Sequence, residues 1–395
     1  LKIVRRKCKI APGMAASPIS DELRAAIDGY VKADVFSGEE ERQAALSKIL
    51  AALDSQEVQL LDIVLHLGKP LSDPDAPQVR RQAIQLLAAC LRGGKQLRLN
   101  FKHVETLARF FASKLSDWQC VEGALGGILV LLRQHAPLLR SLKGGDEGSD
   151  ETLVAHLARR VFRDVNPASH TQLIRKAALD VVQELLQAWR EEVSALGPQL
   201  GEGVGGTIEE ERDPRNLLLS FTIARQLLAD FDPACVSDEA LSGLFETLTS
   251  YFPITFEPPK DDKYGITGDH LRSALHRALG ATPRFAALLV PFVLDNTKDI
   301  TVGDSEDTIL QALEMLAACA EAYGPAVTQA HLRLILSTAR DQVCRTTTPC
   351  TGEFCAAVQR VLAVALRDVP TGLQPHWLGR DVAPALAALA ADAAQ

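Results

Sequence analysis

Apolar residues recur at helical spacing along this chain. Val79, Ala83, Leu86, Leu87 and Cys90 fall on one face of a 3.6-residue period, as do Ile174, Ala177, Ala178, Val181, Val182 and Leu185, and again Leu310, Leu313, Leu316, Ala317 and Ala320. Each stripe needs a covering partner, because a lone amphipathic helix leaves its apolar face in water. Leu and Ala, both strong helix formers, supply most of the 47% apolar content, while only 5% of residues are aromatic. Strictly alternating runs of Val, Ile, Thr and Tyr are nearly absent, so the predicted fold class is all-α.

Short breaks divide the predicted helices: Gly68 to Pro70, Asp73-Pro74, Gly93-Gly94, Asp232-Pro233 and Gly324-Pro325. Helices of about 12 to 20 residues joined by such breaks give antiparallel pairs, and stacked pairs give an alpha-alpha superhelix, a HEAT or armadillo-like solenoid. At about 40 to 47 residues per HEAT repeat, the 395 residues allow about eight or nine units. Residues 14–196 form a first array and 213–395 a second. Two segments interrupt the pattern, at 144–150 and at 197–212 (GPQLGEGVGGTIEEER). Both are expected as mobile surface loops, the second separating the arrays, because neither promises enough burial to offset ordering entropy.

One passage departs from interchangeable Leu and Ala. Residues 251–266, YFPITFEPPKDDKYGI, carry Tyr251, Phe252, Phe256 and Tyr264 beside Pro253, Pro258 and Pro259. The prolines hold extended backbone, Asp261-Asp262 offers turn chemistry, and Gly265 permits a tight bend before a helix near Asp269. Upstream, DPRNLL at 213–218 reads as a helix start, with Asp213 as N-cap and Pro214 at the first helical position. That reading leaves Arg215 and Asn216 less constrained. Asp213, Arg215, Asn216, Tyr251, Phe252, Pro253, Phe256, Tyr264 and Gly265 are therefore the candidate site: a brace between helix and loop, or a contact for a partner.

DPRNLL, the 251–266 segment, LRSAL at 271–275 and TPRFAALLVP at 282–291 together resemble the N-terminal part of the MMS (methyl methanesulfonate) sensitivity and nucleotide excision repair protein family. The ordered match covers roughly 80 residues and joins unusual residues in a fixed order. The resemblance implies a HEAT-repeat targeting adaptor of cytosolic iron-sulfur protein assembly. Such an adaptor links assembly subunits to apoprotein clients, many of them DNA repair, replication and transcription enzymes. It also implies a location in cytoplasm and nucleus, with no cluster held by the adaptor itself. Family members are much longer, and their C-terminal HEAT region docks on the assembly machinery; this chain stops at APALAALAADAAQ, so that docking is not expected of these residues.

The net charge of −8 argues against direct nucleic-acid binding. Arg80-Arg81 and Arg159-Arg160 sit in helical patterns near acidic residues and are read as solvated faces. The strongest basic cluster, Lys2, Arg5, Arg6, Lys7 and Lys9, lies in residues 1–13, which precede Met14 and read as a non-native or fragment leader. Without those five charges the remainder carries −13. This leader lacks the apolar core of a signal peptide, and no apolar run approaches the roughly 20 residues of a membrane span. Neither a membrane nor a small-molecule substrate is expected, and the eight cysteines suit reduced core thiols, as at Cys90 and Cys319.

Three patterns imitate chemistry. Gly201-x-Gly203-x-x-Gly206 satisfies the dinucleotide fingerprint, but no strand precedes it and Glu209, Glu210 and Glu211 follow where phosphate would sit, so it is read as linker. His270 and His276, six apart, fall on different faces of a helix and are not expected to form a metal pair. Cys344, Cys350 and Cys355 lack both a fourth cysteine and a tight C-x2-C pair, so no metal or cofactor is assigned to them. No P-loop, H-E-x-x-H, G-x-S-x-G or EF-hand pattern occurs. The reading is a non-enzymatic scaffold; the alternative is a generic helical-repeat interaction protein of transport or trafficking type.

Overall fold

The computed structural model describes residues 19–33, 38–144, 150–261, 263–298, 306–331, 334–335 and 352–367. The leader 1–13, the tip 145–149, Cys344, Cys350, the Cys355 side chain and the C-terminal alanine-rich segment lie outside the described residues. Two compact units divide between Glu209 and Glu210. Among the described residues both units are built from helices with no β-strand; Lys143 and Thr152 form one isolated bridge.

The first unit runs through α1 (Asp21–Lys32), α2 (Glu39–Asp54), α3 (Leu60–His66), α4 (Pro77–Gly93), α5 (Phe101–Lys114), α6 (Val121–Gln134) and α7 (Ala136–Leu139). It continues through α8 (Leu153–Asp164), α9 (Gln172–Ala188), α10 (Arg190–Ser194) and α11 (Pro198–Ile208). Local chemistry starts these helices. Ser20, Asn100 and Thr152 accept hydrogen bonds from free N–H groups at the N-termini of α1, α5 and α8, and Pro77 and Pro198 occupy first-turn positions where no N–H is needed. Helices α1, α4, α6 and α9 pack side by side in one layer, and α5, α8 and α11 form the other. The stripe predicted on α4 faces the core, with Ala83, Leu86, Leu87 and Cys90 all buried.

Ion pairs tie successive helix pairs together. Arg80 Nε lies 2.7 Å from Asp117, Arg81 2.8 Å from Glu122, Arg133 2.7 Å from Glu184 and Arg140 2.7 Å from Glu192. The partners are 37 to 52 residues apart, about one repeat. Arg80 and Arg81 are thus corrected from solvated face to inter-repeat contacts; the Arg80 side chain is only 14% exposed. The Arg140 guanidinium also lies 4.7 Å over the fully buried Trp189 ring.

The expected loop at 197–212 is instead mostly helix α11, which buries Leu200, Val204 and Ile208. These recur at i, i+4 and i+8, one helix face. Four glycines cost roughly 0.5–1 kcal/mol each against alanine, whereas each large apolar burial contributes about 1.5–3 kcal/mol, so packing prevails over propensity. Gly203 is where α11 crosses α8: a Cβ there would stand 2.3 Å from the Phe162 ring. The G-x-G-x-x-G pattern is therefore a close helix crossing, preceded by a helix and with no phosphate loop.

The second unit contains α12 (Pro214–Asp230), α13 (Asp238–Thr249), α14 (Gly268–Leu279), α15 (Ala286–Lys298), α16 (Glu306–Tyr323), α17 (Pro325–Ala330) and α18 (Gly352–Leu366). Helices α12, α14, α16 and α18 pack in sequence as one layer, with α13 against α14 and α15 against α16. An aromatic cluster fills the space between: Phe245 meets Phe285 at 5.4 Å and Phe292 at 5.9 Å between ring centroids. Among the described residues, no single helix is long and apolar enough to cross a membrane.

Candidate functional site

The residues ahead of α12 form a compact polar knot. Asp213 caps the helix, accepting from the Arg215 N–H at 3.0 Å, and the Arg215 guanidinium returns two hydrogen bonds to its carboxylate, at 2.8 and 2.6 Å. This pairing lowers the Asp213 pKa and raises that of Arg215. Arg215 also lies 4.5 Å over the Tyr264 ring, which links the first turn of α12 to the far end of the 251–266 segment. Asn216 is fully buried and donates to Glu211 Oε2 at 3.0 Å. Glu211 Oε1 accepts from the N–H groups of Arg212 and Asp213 at 2.8 and 2.9 Å.

The 251–266 segment lies against the second unit. Tyr251 makes an edge contact with Phe221 of α12 at 5.6 Å, and Phe252 does the same with Phe292 of α15 at 5.7 Å. The Phe252-Pro253 peptide is cis, and Gly265 takes φ +65°, a left-handed bend suited to glycine. Phe256 is half-buried, and its carbonyl stands where a Cβ on Gly268 would be 2.9 Å away. Ile254 is the anchor: its N–H donates to Gln311 Oε1 at 3.0 Å and its carbonyl accepts from Gln311 Nε2 at 3.3 Å. Arg272 reaches the same carbonyl at 3.5 Å. Tyr264 remains 64% exposed.

Glu211 and Gln311 are the contributors that sequence reading missed. Glu211 stands in an acidic run whose composition suggests linker. Gln311, 57 residues from Ile254, shares no local pattern with it.

On the α12, α14, α16 and α18 layer, an open groove of about 590 Å³ brings together Arg225, Arg272, His276, Arg277, Glu314 and Arg360. Its lining also includes small residues, among them Ala229, Ser273, Ala318 and Ala322. Arg272 pairs with Asp269 at the rim, and Arg360 lies 3.5 Å from Glu321. Arg225, Arg277 and Glu314 have no hydrogen bond or ion pair among the described residues. Burial, reinforced by Arg272 and Arg360, lowers the His276 pKa to about 4, so this ring is neutral near pH 7. His270 instead sits at the α14 N-terminus, in a reciprocal capping pair with Thr267.

Burial holds the Cys90 and Cys319 thiols up at about 12 and Cys120 at about 11, so these are core thiols and poor nucleophiles. Among the described residues, no three His, Cys, Asp or Glu side chains are grouped to hold a metal.

Stacked helix pairs with short breaks, inter-repeat ion pairs and a conformationally specific insert define an α-helical repeat protein. Residues 64–345 match the family model MMS19_N, described as Dos2-interacting transcription regulator of RNA-Pol-II. The chain belongs to the MMS19 nucleotide excision repair protein family. It is 30% identical over 319 residues to the MMS19 nucleotide excision repair protein homolog of Dictyostelium discoideum, an alignment covering 81% of this chain and 27% of that protein. The Homo sapiens homolog is 30% identical over 341 residues, 85% of this chain and 31% of its own. The Arabidopsis thaliana homolog is 28% identical over 310 residues, 78% and 26%. The chain thus spans less than a third of the length of these relatives.

Proposed function

We propose that this chain is the N-terminal portion of a non-enzymatic adaptor that brings apoproteins of DNA repair, replication and transcription to the cytosolic iron-sulfur assembly machinery, in cytoplasm and nucleus. The observation that carries the proposal is family membership across residues 64–345. The 251–266 segment and DPRNLL, the features by which the sequence resembles that family, are packed and hydrogen-bonded parts of the second unit. An array of helix pairs offers long side-chain surfaces for broad protein contact. In this role the chain recruits recipients and does not itself carry a cluster or act on nucleic acid.

Affinity purification of the chain from its native cells tests the reading. Recovery of iron-sulfur assembly subunits or apo-helicases supports it, and a reproducible set of transport factors alone would sink it. Iron-thiolate absorbance in anaerobically purified protein would contradict the claim that no cluster is held.

A further inference from the structure

We propose that the groove on α12, α14, α16 and α18 is a docking site for an Asp/Glu-rich peptide segment of a partner protein, held by Arg225, Arg277 and Arg360. The inference rests on the adaptor reading only in expecting a protein partner.

Charge comes first. The whole chain carries −8, yet this groove gathers four guanidiniums, those of Arg225, Arg272, Arg277 and Arg360, against the carboxylates of Asp269 and Glu314 in its lining and of Glu321, 3.5 Å from Arg360. A solvated face of an acidic protein has no need for such a local reversal. Some surface arginines of the first unit are held in inter-repeat pairs, as Arg80, Arg81, Arg133 and Arg140 are. Arg225 and Arg277 share one groove, and their five-donor forks are unused by any partner among the described residues. A guanidinium fork matches a carboxylate bidentately, so these donors suit Asp and Glu side chains.

Shape points to a peptide. The small lining residues Ala229, Ser273, Ala318 and Ala322 leave room for an extended backbone between the arginine side chains. The groove is open along the layer and is not a closed pocket for a small anion. Nucleic acid fits less well. Among the described residues, no Phe, Tyr or Trp lines the groove to stack a base. His276, half-buried and neutral beside Arg272 and Arg360, adds no charge of its own to the groove.

The test uses the full chain and a fluorescein-labelled glutamate-alanine decapeptide, followed by anisotropy. The expected result is saturable binding that weakens with added salt, with the lysine-alanine counterpart failing to bind. Arg277→Glu, at an exposed position, should weaken binding about tenfold, and the double variant Arg225→Glu/Arg277→Glu should weaken it further, about 1.4 kcal/mol for each factor of ten. Lys102→Glu, an exposed charge change on α5 of the first unit, should bind as the unaltered chain does. Thermal melts of each variant separate lost binding from lost folding. Equal binding of the acidic and basic peptides, unchanged binding by a folded Arg277→Glu chain, or displacement by inorganic phosphate or a single-stranded oligonucleotide at concentrations below that of the peptide would each overturn the proposal. The adaptor reading fails separately: peptide capture with no iron-sulfur proteins recovered from cells leaves the groove standing and removes the pathway. Recovery of those proteins with no peptide binding does the reverse.

Discussion

Glu211 and Asn216 form a buried pair: the Asn216 amide donates to Glu211 Oε2 at 3.0 Å, with Asn216 fully buried and Glu211 only 3% exposed. The other Glu211 oxygen takes two backbone N–H groups, so one carboxylate serves three donors ahead of α12. Glu211→Ala is expected to cost about 1–3 kcal/mol, because it strands buried donors. Glu211→Gln keeps one acceptor oxygen and should lose less. A double-mutant cycle with Asn216→Ala, measured by urea denaturation, should show coupling; strictly additive losses would mean the pair does not act as a unit.

Gly203 and Gly206 belong to the same motif but should respond in opposite directions. Gly203→Ala pushes a Cβ into the Phe162 ring and should destabilise by about 1–3 kcal/mol. Gly206→Ala meets nothing within 4 Å and should stabilise the helix by about 0.5–1 kcal/mol. A flexible linker would give near-neutral values at both positions, which chemical denaturation of the two variants distinguishes.

Gln311 holds the 251–266 segment through both backbone groups of Ile254. Gln311→Leu removes that pair and leaves a buried N–H without its acceptor, at a cost of about 1–3 kcal/mol. Hydrogen exchange should accelerate at Ile254 with little change in α4 or α6 of the other unit. Unaltered exchange at Ile254 would show that the aromatic contacts alone fix the segment.

His276 should make stability fall in mild acid. Its folded pKa, about 4, lies below its ordinary 6.5, so between these values the unfolded chain binds more protons than the folded one. Stability is therefore highest above pH 6.5 and declines as pH drops toward 4, by up to about 3 kcal/mol from this residue. His276→Gln should flatten that part of the profile. Burial also lowers the pKa values of His103, His135, His156 and His170, so part of the slope remains in the variant.

Core thiols should be silent in the native protein. With Cys90 and Cys319 at about 12, iodoacetamide at about pH 8 should leave both unmodified until a denaturant opens the fold. Peptide mapping by mass spectrometry reads this directly. Rapid native labelling of Cys90 would place it at a mobile or exposed position, against its burial.

Much of the fold was legible from local rules. The stripe on α4, the N-cap and proline at Asp213-Pro214 and the bend at Gly265 each follow from spacing or from one residue's backbone preferences, and each stands where those rules put it. The error at 197–212 has a definite origin. Its glycines and glutamates suggest a linker, yet Leu200, Val204 and Ile208 lie on one helix face; composition and period point in opposite directions there, and burial decides for the period. The candidate residues at 213–216 and 251–265 were found as two separate words, and the structure joins them through Arg215 and Tyr264.

The sequence by itself determined that the chain is helical, where some of its helices begin, which faces are apolar, and which family its unusual insert resembles, because each of these is set by residues within a turn or two of one another. Only the tertiary structure decided that Gln311 secures Ile254, that Glu211 is a buried acceptor, and that Arg225, Arg272, Arg277 and Arg360 share one groove. Those residues sit on helices brought side by side by the stacking of repeats, and that register is set by packing across the layer, which spacing along the chain does not encode.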